Sequence, residues 1–334
     1  MWFENLMGFI EETPVQVRSN LEVDGNRITS RVNGTSIIHG MLQTPSLAEL
    51  RSTSPQKRLP SGPIRVKEVV ADAISLHADP GNAGALFQVA SQFNLLEMPS
   101  QHVSPERGVG VYEHDLTQGP ACAVAAGAGT IYRCYLARVN GRPGQTIDNQ
   151  IDCLEDLGNT LGNSDGHLWR MQNGYAMASL TGLAEISKKI RAMPSHERDA
   201  LRQKLRVGVQ WDTQVTLRGC RHLVTQVYCS ALPVGYSQHA SELWEIFAQL
   251  VLEASYEATL WTAMLNFAKT GNNKVYLTLL GGGVFGNNEN WILAAMERSI
   301  ELFARVPLDV AIVSYKSSKP AVKELLSGDT GWSP

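Results

Sequence analysis

"KVYLTLLGGGVFGNNENWILAAMERSIELF" (residues 274–303) runs an apolar, strand-like start into three glycines, a polar turn and an amphipathic segment. A strand that stops in glycines ahead of a helix has the makings of an anion site. The first amides of a helix are unpaired and carry the positive end of its dipole. Glycines let a diphosphate approach that backbone without side-chain collision. A tight turn that holds nothing would use the same residues. Gly281, Gly283 and Gly286 also fit G-x-G-x-x-G. In a dinucleotide-binding fold, however, that motif comes early, and a carboxylate ends the next strand. Here the next strand ends "VSYKSS", and little chain follows it. A P-loop needs Gly-Lys-Ser/Thr, whereas this turn continues "GNNEN". The motif therefore reads as a phosphate cradle of neither standard kind, presented by a closing βαβ unit.

Outward from that loop the chain alternates strand-like and helix-like stretches. "LDVAIVSY" follows it as a last strand, and a long helix over residues 241–271 precedes it, with Leu243, Phe247, Leu250, Val251 and Ala254 on one stripe. "RVGVQW", "HLVTQVYCSALPV", "GALFQVASQF" and "DAISLHA" read as strands, with "DPGN" turning between the last two. "ACAVAAGAGTIYRCYLARV" reads as a helix pressed against its neighbours, and "TIDNQIDCLEDLG" as one closed by Gly158. "SLTGLAEISKKIRAM" and "SHERDALRQKL" read as two more, divided at Pro194. Near-continuous apolar strands alternating with helices predict an α/β fold with a mixed, largely parallel central sheet covered on both faces.

Ahead of this body, residues 15–38 alternate apolar and polar around the hairpin turns Asp24-Gly25 and Asn33-Gly34. "TPSLAELR" reads as a short helix with Thr44 or Ser46 as cap and Pro45 in its first turn. "RSTSPQKRLPSGP" reads as a surface linker. The expected division is an N-terminal accessory segment and linker at 1–63, the main domain at 64–320 with a helical insertion at about 141–204, and a tail at 321–334.

Over 334 residues the chain is 43% hydrophobic and 18% charged, with a formal charge of -3, a balance that argues against capture of nucleic acid. Its five cysteines are spread without a C-x-x-C pair, which fits a reducing, cytoplasmic setting. No basic leader precedes "MWFENLMGFIEETP", and no apolar run is long enough for a membrane span. The eight histidines lack metal-ligand spacing, so no metal is expected. No G-x-S-x-G elbow marks a serine nucleophile, and Cys229 lies on an apparent core strand. Asp212 reads as a strand-end turn residue; Asp148, Asp152 and Glu155 read as a solvated helix face; Trp169, Trp244 and Trp261 read as core.

A second unusual segment covers residues 91–133, "SQFNLLEMPSQHVSPERGVGVYEHDLTQGPACAVAAGAGTIYR". An apolar strand ends in Gln92, Asn94 and Glu97 and passes through a loop. It returns with Glu113, His114 and Asp115 before a helix start of small residues, where a ligand can come close to backbone. Asp115 or Thr117 would equally serve as a helix cap, Asn94 as a turn residue and Glu97 as a solvated carboxylate.

Taken together, these segments resemble the macrodomain family, in particular its poly(ADP-ribose) glycohydrolase-like branch, over roughly residues 69–315. "ALFQVASQFN" looks like the strand carrying the family's Ala-x-Asn element, "YEHDLTQGPA" like its acidic loop entering a helix, and "LLGGGVFGNN" like its late glycine loop. The glycohydrolases carry a triple-glycine run ahead of a Gln-Glu-Glu triplet, where this chain has "GVGVYEHDLTQG". The resemblance therefore points to divergent members, including bacterial effectors, that remove single ADP-ribose units from protein, arginine-linked ones among them.

The implied activity is hydrolysis of the glycosidic bond at the distal ribose, with ADP-ribose as ligand and product and an ADP-ribosylated protein as partner. No cofactor is implied. By this resemblance Asp115 is the first catalytic candidate, with Glu113 or Glu97 as second carboxylate. Asn94 and Gln92 would face the ribose, and Thr117, Gln118 and Gly119 would add donors at a helix start. Gly281, Gly282, Gly283, Val284, Phe285, Gly286 and Asn287 would hold the diphosphate. The insertion would form a lid or a docking surface for protein substrate. A non-catalytic module that binds ADP-ribose or a related nucleotide metabolite is the alternative.

Overall fold

A computed structural model describes residues 1–53 and 59–327. Parts of the expected linker and tail lie outside the described residues. The core is a seven-stranded sheet in the order Met41–Gln43, Gly208–Gln214, Leu223–Cys229, Leu86–Ala90, Lys274–Leu277, Asp309–Ser314, Arg65–Val70. The first two ladders are antiparallel and the remaining four parallel. The sheet is thus mixed and largely parallel, as the apolar strand runs predict. Leu86–Ala90 and Leu223–Cys229 are buried almost throughout, as centre strands covered on both faces must be.

The long helix Glu245–Thr270 and the helix Glu289–Leu302 pack on each other and share the main core cluster with the sheet. The helices Gln118–Ala125 and Gly127–Ile131 and the π-turn Tyr132–Leu136 carry residues of a second cluster. Phe3, Met7, Phe9 and Val17 of the N-terminal segment complete that cluster.

Several local expectations are corrected. "DAISLHA" is the helix Ala73–Ala78, because Asp72 caps it by accepting from the Ser75 amide. Residues 15–20 belong to the helix Pro14–Asn20, capped by Thr13, and only Leu21–Asp24, Arg27–Ser30 and Ser36–Ile38 form the small antiparallel sheet. Ser46, not Thr44, caps the helix Leu47–Ser52, in a capping box with Glu49, so Pro45 stands outside it. Glu155–Leu161 ends at Gly162, whose φ is 88°, and Gly158 is an interior helical residue. Asp212 lies within a strand rather than at its end, at a register shift with φ 51°, and pairs with Lys269. Asp152 is half-buried, accepts from the Leu154 amide and is pushed up to about 6 by burial, so it is no solvated helix face.

Met41–Gln43, from the segment expected to be accessory, is an edge strand of the main sheet. The stretch 141–204 carries the hairpin Trp169–Gln172/Tyr175–Ala178 besides its helices.

Candidate functional site

Two adjoining cavities open at the carboxyl ends of the parallel strands, where ligands of open α/β sheets bind. One, of 240 Å3, is bounded by Ala90, Gln92, Glu97, Asp115 and Tyr175 on one side and by the glycine loop on the other. The second, of 660 Å3, lies between Asp72–Ile74, Tyr315 and the same loop. Thr117, Gln118, Thr278, Leu279 and Gly283 line both.

The glycine loop takes its shape from two left-handed residues, Gly281 at φ 76° and Gly286 at φ 68°. A Cβ on Gly281 would stand 2.4 Å from Ala231 Cβ and 2.7 Å from Asn287 Nδ2, so the position excludes any side chain. The Gly286 amide donates to Gly283 O at 2.9 Å and the Asn287 amide to Gly281 O at 3.0 Å. Asn287 Nδ2 donates to Leu232 O at 2.8 Å, tying the loop to the neighbouring strand end.

Among the described residues, the amides of Gly281, Gly283, Val284 and Phe285 find no acceptor, and these four residues all line the smaller cavity. The helix itself begins only at Glu289, and its cap Asn288 accepts from the Asn290 amide. The available donors are thus loop amides, not the helix's first turn expected from sequence. Gly282 and Asn287 face the larger cavity.

The opposite wall is the start of the helix Gln118–Ala125. Asp115 Oδ1 accepts from the Thr117 amide at 2.9 Å and the Thr117 hydroxyl at 2.7 Å, and Asp115 and Thr117 both line the smaller cavity. Gln118 is committed to the fold, since its side chain accepts from the Ala90 amide and donates to Gln88 O. A Cβ on Gly119 would stand 2.0 Å from Ala90 O, so glycine lets the helix start close on the strand end.

Glu97 is 3% exposed and lines the smaller cavity, and neither of its carboxyl oxygens makes a hydrogen bond. Burial pushes its carboxyl up to about 8, against the pull of Arg133 and of the Tyr112 hydroxyl. Arg133, itself fully buried, brings Nη2 to 3.6 Å from Glu97 Oε1. Its Nε donates to Leu95 O at 3.0 Å, and its guanidinium lies 3.6 Å from the centre of the Tyr228 ring. Leu95 is left-handed at φ 64°, the turn that separates the direction of Asn94 from that of Glu97.

Of the remaining candidates, the structure brings Gln92 to the cavities but not Glu113 or Asn94. Glu113 is exposed and accepts from the Trp2 amide at 2.8 Å. Asn94 is buried away from both, accepting from the Leu96 amide and donating to Gln150 at 2.8 Å. Gln92 lines the smaller cavity while pinning the loop through Met98, whose amide it accepts at 2.9 Å.

Phe285, named from sequence, lines the smaller cavity, but sequence reasoning missed Tyr175 and Tyr236, which join it in an aromatic wall with ring centres 5.0 to 5.4 Å apart. Tyr175 follows the Asn173-Gly174 turn, a hairpin signal inside the stretch read as helical. It also missed the larger cavity, with Asp72, Tyr315, Lys316 and Lys319. Among the described residues no group of three His, Cys, Asp or Glu side chains is placed to hold a metal ion, and no helix is long and apolar enough to cross a membrane.

No family model matches the chain, and no curated protein matches it. Among solved structures, the poly(ADP-ribose) glycohydrolase of Deinococcus radiodurans in complex with ADP-ribose aligns over 85% of this chain and 90% of its own, at 13% identity and TM-score 0.44. Its apo form aligns over 85% and 88%, at 11% and 0.41. The poly(ADP-ribose) glycohydrolase of Thermomonospora curvata aligns over 94% and 95%, at 12% and 0.42.

Proposed function

We propose that the chain binds ADP-ribose across its two cavities and hydrolyses the glycosidic bond at the distal ribose, releasing ADP-ribose from modified protein side chains. One observation carries this reading. Glu97, a buried residue whose carboxyl makes no hydrogen bond, lines the same 240 Å3 cavity as the residues with unpaired amides, Gly281, Gly283, Val284 and Phe285. Four loop amides suit a diphosphate. A carboxyl that keeps its proton near neutral pH suits a leaving group that needs one.

In this reading the diphosphate rests on residues 281–286 and the distal ribose enters the smaller cavity against Tyr175 and Tyr236. The adenosine end takes the larger cavity, with Tyr315 and Asp72 as its ring and polar contacts. Glu97 gives its proton to the leaving atom as the bond to the anomeric carbon breaks. Asp115, with Oδ1 held by Thr117, faces the positive charge that develops on the sugar ring. It takes a proton from the water that attacks that carbon, and both carboxyl groups return to their starting states through solvent.

Calorimetry with ADP-ribose, beside a release assay on poly(ADP-ribose) and on arginine-, serine- and glutamate-linked ADP-ribosyl peptides, tests the reading. Binding with release from at least one protein-linked substrate supports it. Binding without release leaves a reader of ADP-ribose, and absence of both overturns the proposal.

A further inference from the structure

The N-terminal segment, which the sequence left without a role, reaches the loop that ends in Asp115. Glu11 accepts from the Val109 amide at 3.0 Å through Oε1 and from the Gly110 amide at 2.6 Å through Oε2. The Tyr135 hydroxyl donates to Oε1 as well. A Cβ on Gly108 or Gly110 would stand 2.5 or 2.7 Å from Glu11 Oε2, so glycine at both positions opens the backbone to this carboxylate. Gly108 has φ 88°, a conformation that favours glycine on its own account.

Trp2 makes two further contacts with the same loop: its ring nitrogen donates to Val109 O at 3.1 Å and its amide to Glu113 at 2.8 Å. Phe3, Met7 and Phe9 are buried in one cluster with Val109, Tyr112 and Tyr135, which anchors the segment independently of these polar contacts.

The loop so held reaches both carboxyl groups of the cavity. Tyr112 lies in the 3-10 turn Gly110–His114 that starts on the Glu11 carboxylate, and its hydroxyl accepts from the Glu97 amide at 3.0 Å. Asp115 is the next residue after that turn, and its amide donates to Tyr112 O at 3.2 Å. A shift of the turn therefore moves the backbone of Glu97 and of Asp115 together. Glu11 touches neither cavity.

We infer that residues 1–12 form a clasp that holds the acidic loop in its working geometry, with Glu11 as positioning residue. The inference rests on the reading of Glu97 and Asp115 as the reacting groups. A displacement near 1 Å at a reacting group costs on the order of a hundredfold in rate. Among the described residues no hydrogen bond and no shared apolar cluster joins the glycine loop to the clasp, so affinity for ADP-ribose is spared.

The test compares Glu11→Gln and Gly110→Ala with the unaltered full chain. Each disturbs the same contact from one side, so a folding failure in one leaves the other to decide. With whichever ADP-ribosylated substrate the unaltered chain cleaves, kcat is expected to fall at least tenfold in a folded variant. The Kd for ADP-ribose is expected to stay within about threefold, and the alkaline limb of the pH profile to move toward lower pH as water reaches Glu97. Unchanged kcat and an unchanged limb in a folded variant overturn the inference. If the unaltered chain releases nothing, the proposed function fails by itself, and amide hydrogen exchange still judges the clasp. Faster exchange confined to residues 108–115 in either variant supports it, and unchanged exchange there overturns it.

Discussion

Arg133 Nη2 stands 3.6 Å from Glu97 Oε1, beyond hydrogen-bond reach, and both groups are almost wholly buried. The guanidinium spends its short contacts elsewhere, on Leu95 O and the Tyr228 ring. A carboxyl in such a place gains too little from its neighbour to offset the loss of water, so it keeps its proton. Arg133 thus acts on Glu97 in two ways: it holds the left-handed turn at Leu95 that aims the side chain, and it limits how far burial raises the carboxyl.

The first prediction concerns pH. With Glu97 pushed up to about 8, release of ADP-ribose falls as pH rises through about 8, and Glu97→Gln abolishes release while ADP-ribose still binds. The linkage has a definite sign. The folded carboxyl holds its proton to about 8, and the unfolded one releases it near 4.5. Stability present at acid pH is therefore lost as pH rises through that window, by an amount of order a few kcal/mol. Glu97→Gln should lose this slope and melt higher than the unaltered chain near pH 8. Melting curves across the window decide it.

Arg133→Gln removes the cation that favours the charged form of Glu97. The alkaline limb of activity should then lie at higher pH than in the unaltered chain, because only the Tyr112 hydroxyl remains to oppose burial. A limb that stays in place would detach Arg133 from the tuning of Glu97.

The two acidic residues of the loop should separate cleanly. Asp115→Asn keeps the Thr117 contacts available but removes the charge facing the cavity, and the release rate should drop by about 10^2 to 10^4. Glu113→Gln, exposed and turned to the Trp2 amide, should stay within a few-fold. Equal losses in both would place the chemistry elsewhere.

How much of this was legible in sequence depends on the distance over which each feature is decided. Gly281 and Gly286 are local, since their backbone conformation needs glycine, and the glycine loop was readable for that reason. So were the sheet's apolar runs. The opposite fates of Asn94 and Glu97 were not readable: they hang on Leu95 adopting a conformation rare for leucine, which Arg133 holds from far along the chain. "DAISLHA" alternates well enough for a strand, but the Asp72 cap and the small cluster joined by Leu76 settle it as helix. The partner of Glu11 lies 98 residues away, beyond any local pattern.

The glycine loop offers an internal control. Gly281→Ala forces a Cβ to 2.4 Å from Ala231 at a left-handed residue, whereas Gly283→Ala meets nothing within 4 Å. The first should destabilise the protein by about 1 to 3 kcal/mol and weaken ADP-ribose binding at least tenfold. The second should leave stability within about 0.5 kcal/mol and change binding only as far as the new methyl crowds a phosphate. Calorimetry and melting on the pair separate loop shape from loop contact.

The larger cavity makes the last prediction, and it divides the ligand into halves. Tyr315 is 53% exposed at the end of the strand Asp309–Ser314, with its ring free to stack and Lys316 Nζ 5.1 Å from its centre. Stacking of a base on an aromatic ring is worth roughly 1 to 3 kcal/mol, so Tyr315→Ala should weaken ADP-ribose binding by about tenfold or more. If the adenosine end lies there, AMP loses affinity in Tyr315→Ala by the same factor, while ribose 5-phosphate, confined to the smaller cavity and the glycine loop, binds both forms alike. The reverse pattern would turn the ligand end for end. The adenine would then sit beside Glu97, where no leaving atom on the distal ribose could receive its proton, and the proposed chemistry could not proceed.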